Sequence, residues 1–227
     1  MNNDTEEAVG IAQLESGMRT LVHDWRNVLN GINLRISSAK YAEETADREE
    51  DLAEAQQLVV SATAQLTSLS RRLTAPSVTP IPYPTAHFFE DVAAHIGGKM
   101  GKNASRLKWE TEGLAEGAVL VDFIAMSQAL GELLDNTLRY LSSGGTVTIN
   151  SRLEDACLVL SWNEPKAGPP TSEWGQMPFF TTERGRLGLG LYFARRILQA
   201  HGGSLSFDYS DAEQEMETTL RIPRADP

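Results

Sequence analysis

The sequence predicts an α+β protein in which an antiparallel helical hairpin precedes an α/β sandwich. Three observations carry that prediction. The first 75 residues hold no proline and only the glycines Gly10, Gly17 and Gly31. Two apolar series with the a/d spacing of a helical seam run through them. Beyond a proline-rich stretch, the pattern switches between the alternation of strands and the three-four steps of helices.

In the first series Ile11, Leu14, Met18, Leu21, Trp25, Val28 and Ile32 step by three and four, and Ala39 continues the line. The second series is Leu52, Ala55, Val59, Ala62, Leu66, Leu69 and Leu73. The polar, acidic stretch Glu43–Asp51 between them is read as a solvated turn that folds the chain back on itself. One hairpin leaves two apolar stripes with little to cover them. Two hairpins joined as a four-helix bundle bury both, so a homodimer through the hairpin is expected. Proline disfavours helix at the residue before it, so Ala75-Pro76 ends the second helix. Pro76, Pro80, Pro82 and Pro84 then make a stiff, extended linker. The predicted division is a hairpin over 1–75, a linker over 76–85 and a second domain over 86–227.

In that second domain the patterning predicts a short helix over 87–96, strands over 106–109 and 118–121, and a long amphipathic helix over 123–140. Strands follow at 146–150 and 157–162, then a helix over 189–200 and closing strands at 204–209 and 218–222. An antiparallel sheet with helices on one face is the sandwich these elements imply.

Composition narrows the function classes. With 41% apolar and 22% charged residues, the chain can bury a core and is no disordered tail. No apolar run approaches the roughly 18 residues that cross a bilayer. The start, MNNDTEEAVG, is acidic and lacks the order of a signal peptide. The lone Cys157 forms no internal disulfide and no cysteine-based zinc site, which fits a reducing cytoplasm. A net charge of −11, from 20 basic against 31 acidic residues, weighs against a nucleic-acid partner.

Three clusters can carry chemistry. With Met18 and Trp25 at position a, His23 falls at position f, away from the seam. Asp24 beside it can hold the Nδ1 proton and leave Nε2 as a nucleophile, and Asn27, one turn on, can orient a water. An exposed helical histidine is most often plain surface, so this cluster is weighed with the others. The run ALGELLDNTLRY (129–140) places Glu132 and Asn136 on one helical face, a carboxylate and a carboxamide that can share a hydrated magnesium ion. Arg139 adds a cation for phosphate and Tyr140 an aromatic face for a base, while Leu130, Leu133, Leu134 and Leu138 form the core stripe. The third cluster is PFFTT (178–182), with Thr181 and Thr182, followed by Gly185, Gly188, Leu189, Gly190 and Leu191. Glycines ahead of a helix let backbone approach a ligand, and the helix start offers unpaired N–H groups to phosphate. Arg184 and Arg186 add positive charge there.

Taken in order, these segments resemble the transmitter core of two-component sensor histidine kinases. His23–Asn27 is similar to the phosphoacceptor box, Glu132–Tyr140 to the N box, Phe179–Thr182 to the F box and Gly185–Leu191 to the second glycine box. The likeness runs from about Ile11 to Pro223. It implies a dimerisation and histidine-phosphotransfer hairpin followed by a Bergerat-type ATP-binding domain, using ATP and Mg2+. It further implies that His23 receives the γ-phosphoryl group, Asp24 is its adjacent base and Asn27 serves in dephosphorylating a partner's aspartate. Asn136 matches the magnesium ligand, Glu132 the polar residue one turn earlier, and Gly188 and Gly190 the phosphate-facing glycines. The implied partner is a response regulator receiver domain.

The first glycine box departs from the family. After the strand ending at Trp162, similar proteins carry an aspartate that reads the adenine amino group, then two spaced glycines. Here the run is Asn163-Glu164-Pro165-Lys166-Ala167-Gly168, and Asn163 is read as the base contact, with Gly168 taking over from a lost glycine. Val28 and Gln176-Met177 are smaller departures. With 22 residues before His23, no sensor domain is expected ahead of it. The leading expectation is a cytoplasmic protein-histidine kinase. The alternatives are a phosphotransfer hub whose nucleotide domain no longer uses ATP, and another ATPase of the same fold in which Glu132 activates water. Trp109, Trp162 and Trp174 are read as packing or lid residues, and His201 as a cation suited to a helix end.

Overall fold

The computed structural model of the chain describes residues 2–111, 117–142, 144–154, 156–171, 174–181 and 186–225, with side chains from Leu14 onward. It comprises two compact units, one of residues 1–74 with 177–189 and one of residues 75–176 with 190–227.

The first unit is the helical hairpin, α1 (Asn2–Tyr41) and α2 (Thr45–Leu73). Ala39, Ala55 and Ala62 are buried, small residues at which two helix backbones approach closely. The other row of the second series, Leu52, Val59, Leu66 and Leu73, remains 36–49% exposed. The helix pair therefore buries one row of the second series and leaves the other uncovered. The expected turn is shorter than Glu43–Asp51: α2 begins at Thr45, so most of the acidic run is helix. Negative charge is tolerated there because the first turn of a helix is its positive end, where Asp47 sits. Asp51 faces inward, 9% exposed, and accepts from Arg35 of α1 at 3.1 Å, while Arg35 also meets Glu54 at 2.7 Å. These ion pairs pin the two helices in register. Ile11, the first residue of the seam, lies outside the described side chains.

The same unit holds the stretch around Phe179, which is 5% exposed at φ +64°. Its ring lies against α1 at Gly17, where a Cβ would stand 2.5 Å from Phe179 Cβ. The missing side chain of Gly17 is the space the phenylalanine uses.

The second unit contains two sheets. β1 (Ile81–Pro84) pairs antiparallel with β3 (Ala118–Val121), so the end of the predicted linker is a strand of this unit. Prolines are admissible in such a two-stranded edge because each strand uses only one side of its backbone. The main sheet has the order β2-β4-β5-β7-β6, from β2 (Leu107–Thr111), β4 (Val147–Leu153), β5 (Cys157–Pro165), β6 (Ser204–Ser210) and β7 (Glu215–Pro223). It is mixed: β2 runs parallel to β4, and the other pairs are antiparallel. The helices are α3 (Thr85–Met100), α4 (Phe123–Tyr140) and α5 (Gly190–Ala200).

Phe88, Val92 and Ile96 of α3, Met126, Leu130, Leu133 and Leu134 of α4, and Phe193, Ile197 and Leu198 of α5 join Ile149, Leu158, Leu160 and Leu220 of the sheet in one core. Trp162 is a packing residue, and its buried Nε1–H donates to Thr137 Oγ1 at 2.9 Å, holding α4 to β5. His201 differs from its expected role as a helix-end cation. It is 5% exposed, Nδ1 lies 2.7 Å from the Ile197 carbonyl, and Nε2 accepts from the Asp122 N–H at 2.9 Å. With one nitrogen donating and the other accepting, the ring is used in neutral form to tie α5 to the start of α4. Asp122 caps α4 through Oδ1, which accepts from the Ala125 N–H at 3.1 Å. Among the described residues, no helix is long and apolar enough to cross a membrane.

Candidate functional site

The hairpin brings His23, Asp24 and Asn27 together on the outer face of α1. The side chains of His23 and Asp24 are 70% and 59% exposed. Asp24 Oδ1 lies 3.3 Å from His23 Nδ1, and Asn27 Nδ2 lies 3.3 Å from the same nitrogen. The two neighbours favour different tautomers. A carboxylate accepts from Nδ1–H, which leaves the Nε2 lone pair free. An amide N–H donates to Nδ1 only when the ring proton is on Nε2, whereas the amide oxygen, turned inward, would accept from Nδ1–H as Asp24 does. Solvation, a proton acceptor at Nδ1 and an open Nε2 are what a nucleophilic imidazole requires.

In the second unit the chemistry gathers where α4, the end of β5 and the segment through Trp174 meet. Glu132 and Asn136 are half-buried, one turn apart, while Leu130, Leu133, Leu134, Thr137 and Leu138 face the core. Arg139 pairs with Asp135 one turn back, so its charge is already engaged on α4. Asn163 is exposed and its neighbour Glu164 is 1% exposed. Alternation decides this. Leu158, Leu160, Trp162 and Glu164 share one face of β5, and Trp162 reaches α4 from that face. The carboxylate at the strand end is therefore Glu164, one residue later than the sequence reading placed the base contact, and Gly168 falls four residues beyond it. Glu164 was legible in the sequence through that parity.

Glu164 Oε1 accepts from Lys166 Nζ at 3.3 Å, and Oε2 is buried with no partner. The Lys166 ammonium lies 4.0 Å from the ring centre of Tyr140 and 4.3 Å from that of Trp174. Trp174 is thus the second ring against this ammonium, and it is fastened to α5. Arg195 Nη2 donates to the Trp174 carbonyl at 3.3 Å and Nη1 to Leu205 at 3.1 Å, and burial lowers the Arg195 pKa from its usual value.

Gly190 opens α5, and Glu132 Oε2 lies 2.8 Å from where a Cβ on Gly190 would be. A carboxylate oxygen thus sits at the positive end of that helix. In the first unit, Gly188 has φ +61° and a Cβ there would stand 2.3 Å from the Phe180 carbonyl oxygen, so only glycine fits. Leu189 is buried and Thr181 is exposed. Thr182, Arg184 and Gly185 lie outside the described residues.

This donor set suits a base that carries an amino group and a hydrated divalent cation. The orphaned Glu164 Oε2 is an acceptor waiting for a donor. Glu132 and Asn136 present two side-chain oxygens one turn apart, which could form part of a shell that magnesium completes with water and phosphate oxygens. Among the described residues, no group of three or more His, Cys, Asp or Glu converges on a metal position.

Residues 121–226 match the family described as histidine kinase-, DNA gyrase B-, and HSP90-like ATPase. The alginate biosynthesis sensor protein KinB of Pseudomonas aeruginosa is 30% identical over 90 residues, 38% of this chain and 15% of that protein. The sensor histidine kinase GtrS of the same species is 31% identical over 105 residues, 44% of this chain and 21% of that protein. The matches thus span a minor part of those curated relatives. Among solved structures, the Acinetobacter baumannii histidine kinase AdeS superposes with a TM-score of 0.53 at 18% identity, covering 90% of this chain and 98% of that one. Full-length ShkA, solved in complex with AMPPNP, gives 0.60 at 19% identity, covering 92% and 46%. Both show the fold alone. The hairpin followed by a mixed-sheet domain is thus the fold of solved histidine kinases, and residues 121–226 match the histidine kinase-, DNA gyrase B-, and HSP90-like ATPase family.

Proposed function

We propose that the chain is an ATP-dependent protein-histidine kinase that phosphorylates His23 and passes the phosphoryl group to an aspartate on a separate response regulator. The observation that carries this reading is the solvated His23, whose Nδ1 is engaged by Asp24 while Nε2 stays open. Nε2 attacks the γ-phosphorus of ATP, the N–P bond forms, and the bond to the β–γ bridging oxygen breaks to release ADP. The ring then carries positive charge, and Asp24 accepts the Nδ1 proton. Tyr140 and Glu164 recognise the base, and Gly188, Gly190 and the start of α5 receive the phosphates. Glu132 and Asn136 would hold magnesium, which would supply charge neutralisation to the transfer. Asn27 orients the water that hydrolyses the regulator's aspartyl phosphate.

The uncovered row Leu52, Val59, Leu66 and Leu73 supports a homodimer in which a second hairpin covers it. A cytoplasmic setting accords with the solvated histidine and the single unpaired cysteine. The test is incubation with γ-labelled ATP and magnesium. Label retained on the wild type and absent from His23→Ala supports the kinase, and label in neither overturns it.

One observation favours a second reading, a phosphotransfer hub that does not use ATP: the Tyr140 ring meant for a base is covered by Lys166. Calorimetry with a non-hydrolysable ATP analogue separates the two, since affinity weaker than millimolar supports the hub.

A further inference from the structure

Lys166 is held from three sides by groups that a nucleotide base would also use. Its ammonium pairs with Glu164 Oε1 at 3.3 Å and stands over Tyr140 at 4.0 Å and Trp174 at 4.3 Å. The side chain is 13% exposed, although most lysines lie in water. Its backbone is fixed at both ends: the N–H donates to the Gln214 carbonyl at 2.9 Å, and the carbonyl accepts from Tyr209 Oη at 3.3 Å.

The opposite wall is equally built. Arg195 holds the Trp174 carbonyl, the indole meets Phe207 edge-on at 5.6 Å, and Gly175 at φ +68° packs so closely that a Cβ would lie 3.1 Å from the Leu191 carbonyl oxygen. The lysine is therefore seated in a cage of two rings and a carboxylate made by α4, β5 and the segment pinned to α5.

We propose that Lys166 is an internal competitor of the base: its ammonium fills the Tyr140 face nearest Glu164, and a base can stack there only after the lysine has left. The proposal rests on the nucleotide reading above and deepens it. An ammonium and an exocyclic amino group are both pure donors, so both are drawn to Glu164. Both also cover an aromatic face, so they compete for Tyr140. The unpartnered Glu164 Oε2 marks the acceptor capacity that a single ammonium leaves unused. Lys166 thereby sets the affinity and the selectivity of the site, favouring a ligand that offers a flat ring and an amino group at once. A phosphate chain alone gains nothing from displacing it.

The experiment is calorimetric titration of the full chain with adenosine, with a non-hydrolysable ATP analogue and with inorganic tripolyphosphate, for wild type, Lys166→Met and Lys166→Arg. Methionine keeps the stem and removes the charge, and Lys166→Gln serves the same purpose if the methionine variant misfolds. Adenosine and the analogue are expected to bind the methionine variant about tenfold more tightly, the size of one desolvated cation–π contact, with tripolyphosphate unchanged and the arginine variant close to wild type. Equal or weaker adenosine binding by Lys166→Met overturns the competitor and makes the lysine a counter-ion of Glu164. If wild type and variants alike bind neither adenosine nor the analogue, the nucleotide reading fails and the competitor with it. Equal, measurable binding by all three sinks the competitor alone.

Discussion

Phe179 lies where Gly17 has no side chain. The ring rests on α1 six residues before His23, and a Cβ on Gly17 would come within 2.5–2.6 Å of Cβ, Cγ and Cδ1 of the phenylalanine. None of those atoms is the far end of a flexible chain, so the clash cannot be relieved by a small rotation. Gly17→Ala is expected to expel the Phe179 segment from α1. It should not unfold the helix, because alanine is a better helix former than glycine by about 1 kcal/mol. Limited chymotrypsin digestion reads the result: cleavage after Phe179 or Phe180 should accelerate several-fold while the helical circular-dichroism signal holds or rises. Unchanged cleavage would show that the notch is incidental.

The two contacts on His23 Nδ1 make opposite predictions for their own removal. Asp24→Asn takes away the acceptor for the Nδ1 proton, and labelling of His23 from γ-labelled ATP should slow by about a hundredfold, the usual scale for a positioned acid or base. Asn27→Ala removes the group that favours the other tautomer, so labelling should be kept while dephosphorylation of a cognate phosphorylated receiver domain is lost. Nitrogen NMR of the imidazole gives an independent reading, with the Nδ1–H form depleted in Asp24→Asn. Equal loss of labelling in both variants would contradict the division of roles.

Glu164 and Asn163 face opposite sides of β5, and their substitutions should separate accordingly. Glu164→Gln keeps the shape and removes the charge, turning a hydrogen bond of about 1.5–3 kcal/mol into one of about 1, so adenosine affinity should fall by roughly tenfold. Asn163→Ala, at an exposed position, should change it less than twofold. Reversed effects would return the base contact to Asn163.

That pair also shows what the sequence exposes and what it hides. The helical hairpin, α4 over 123–140 and β3 over 118–121 were readable because long periodic runs have few alternatives. His23 was placed outward by heptad position alone. The family motif points to Asn163, whereas the strand's alternation from Leu158 through Trp162 puts Glu164 on the site face. The parallel pairing of β2 with β4 is a long-range choice that no local pattern encodes. The cage around Lys166 joins residues 140, 164, 166 and 174 through tertiary packing, and the notch at Gly17 depends on a segment over 160 positions away. At His201 a helix end suggests charge, while its actual partner, the Asp122 N–H, comes from another element.

Asp51 should make the hairpin sensitive to acid. The Ser38 hydroxyl has the largest influence in holding its carboxyl below the usual carboxylate value. Burial opposes that effect, and Arg35 adds a hydrogen bond and its charge. A folded-state value below the unfolded one, which is about 3.9 for aspartate, contributes stability that is fully present above that pH and lost as pH falls through the folded value. The Arg35–Asp51 contact joins residues 16 apart across the two helices, so the loss falls on their pairing. Asp51→Asn keeps the size of the side chain and removes its titration. The gap in urea midpoint between wild type and Asp51→Asn should be widest at pH 7 and narrow steadily below about pH 4, whereas other carboxylates titrate equally in both proteins and cancel. A gap that stays constant from pH 7 to pH 3 would mean that Asp51 contributes through shape rather than charge.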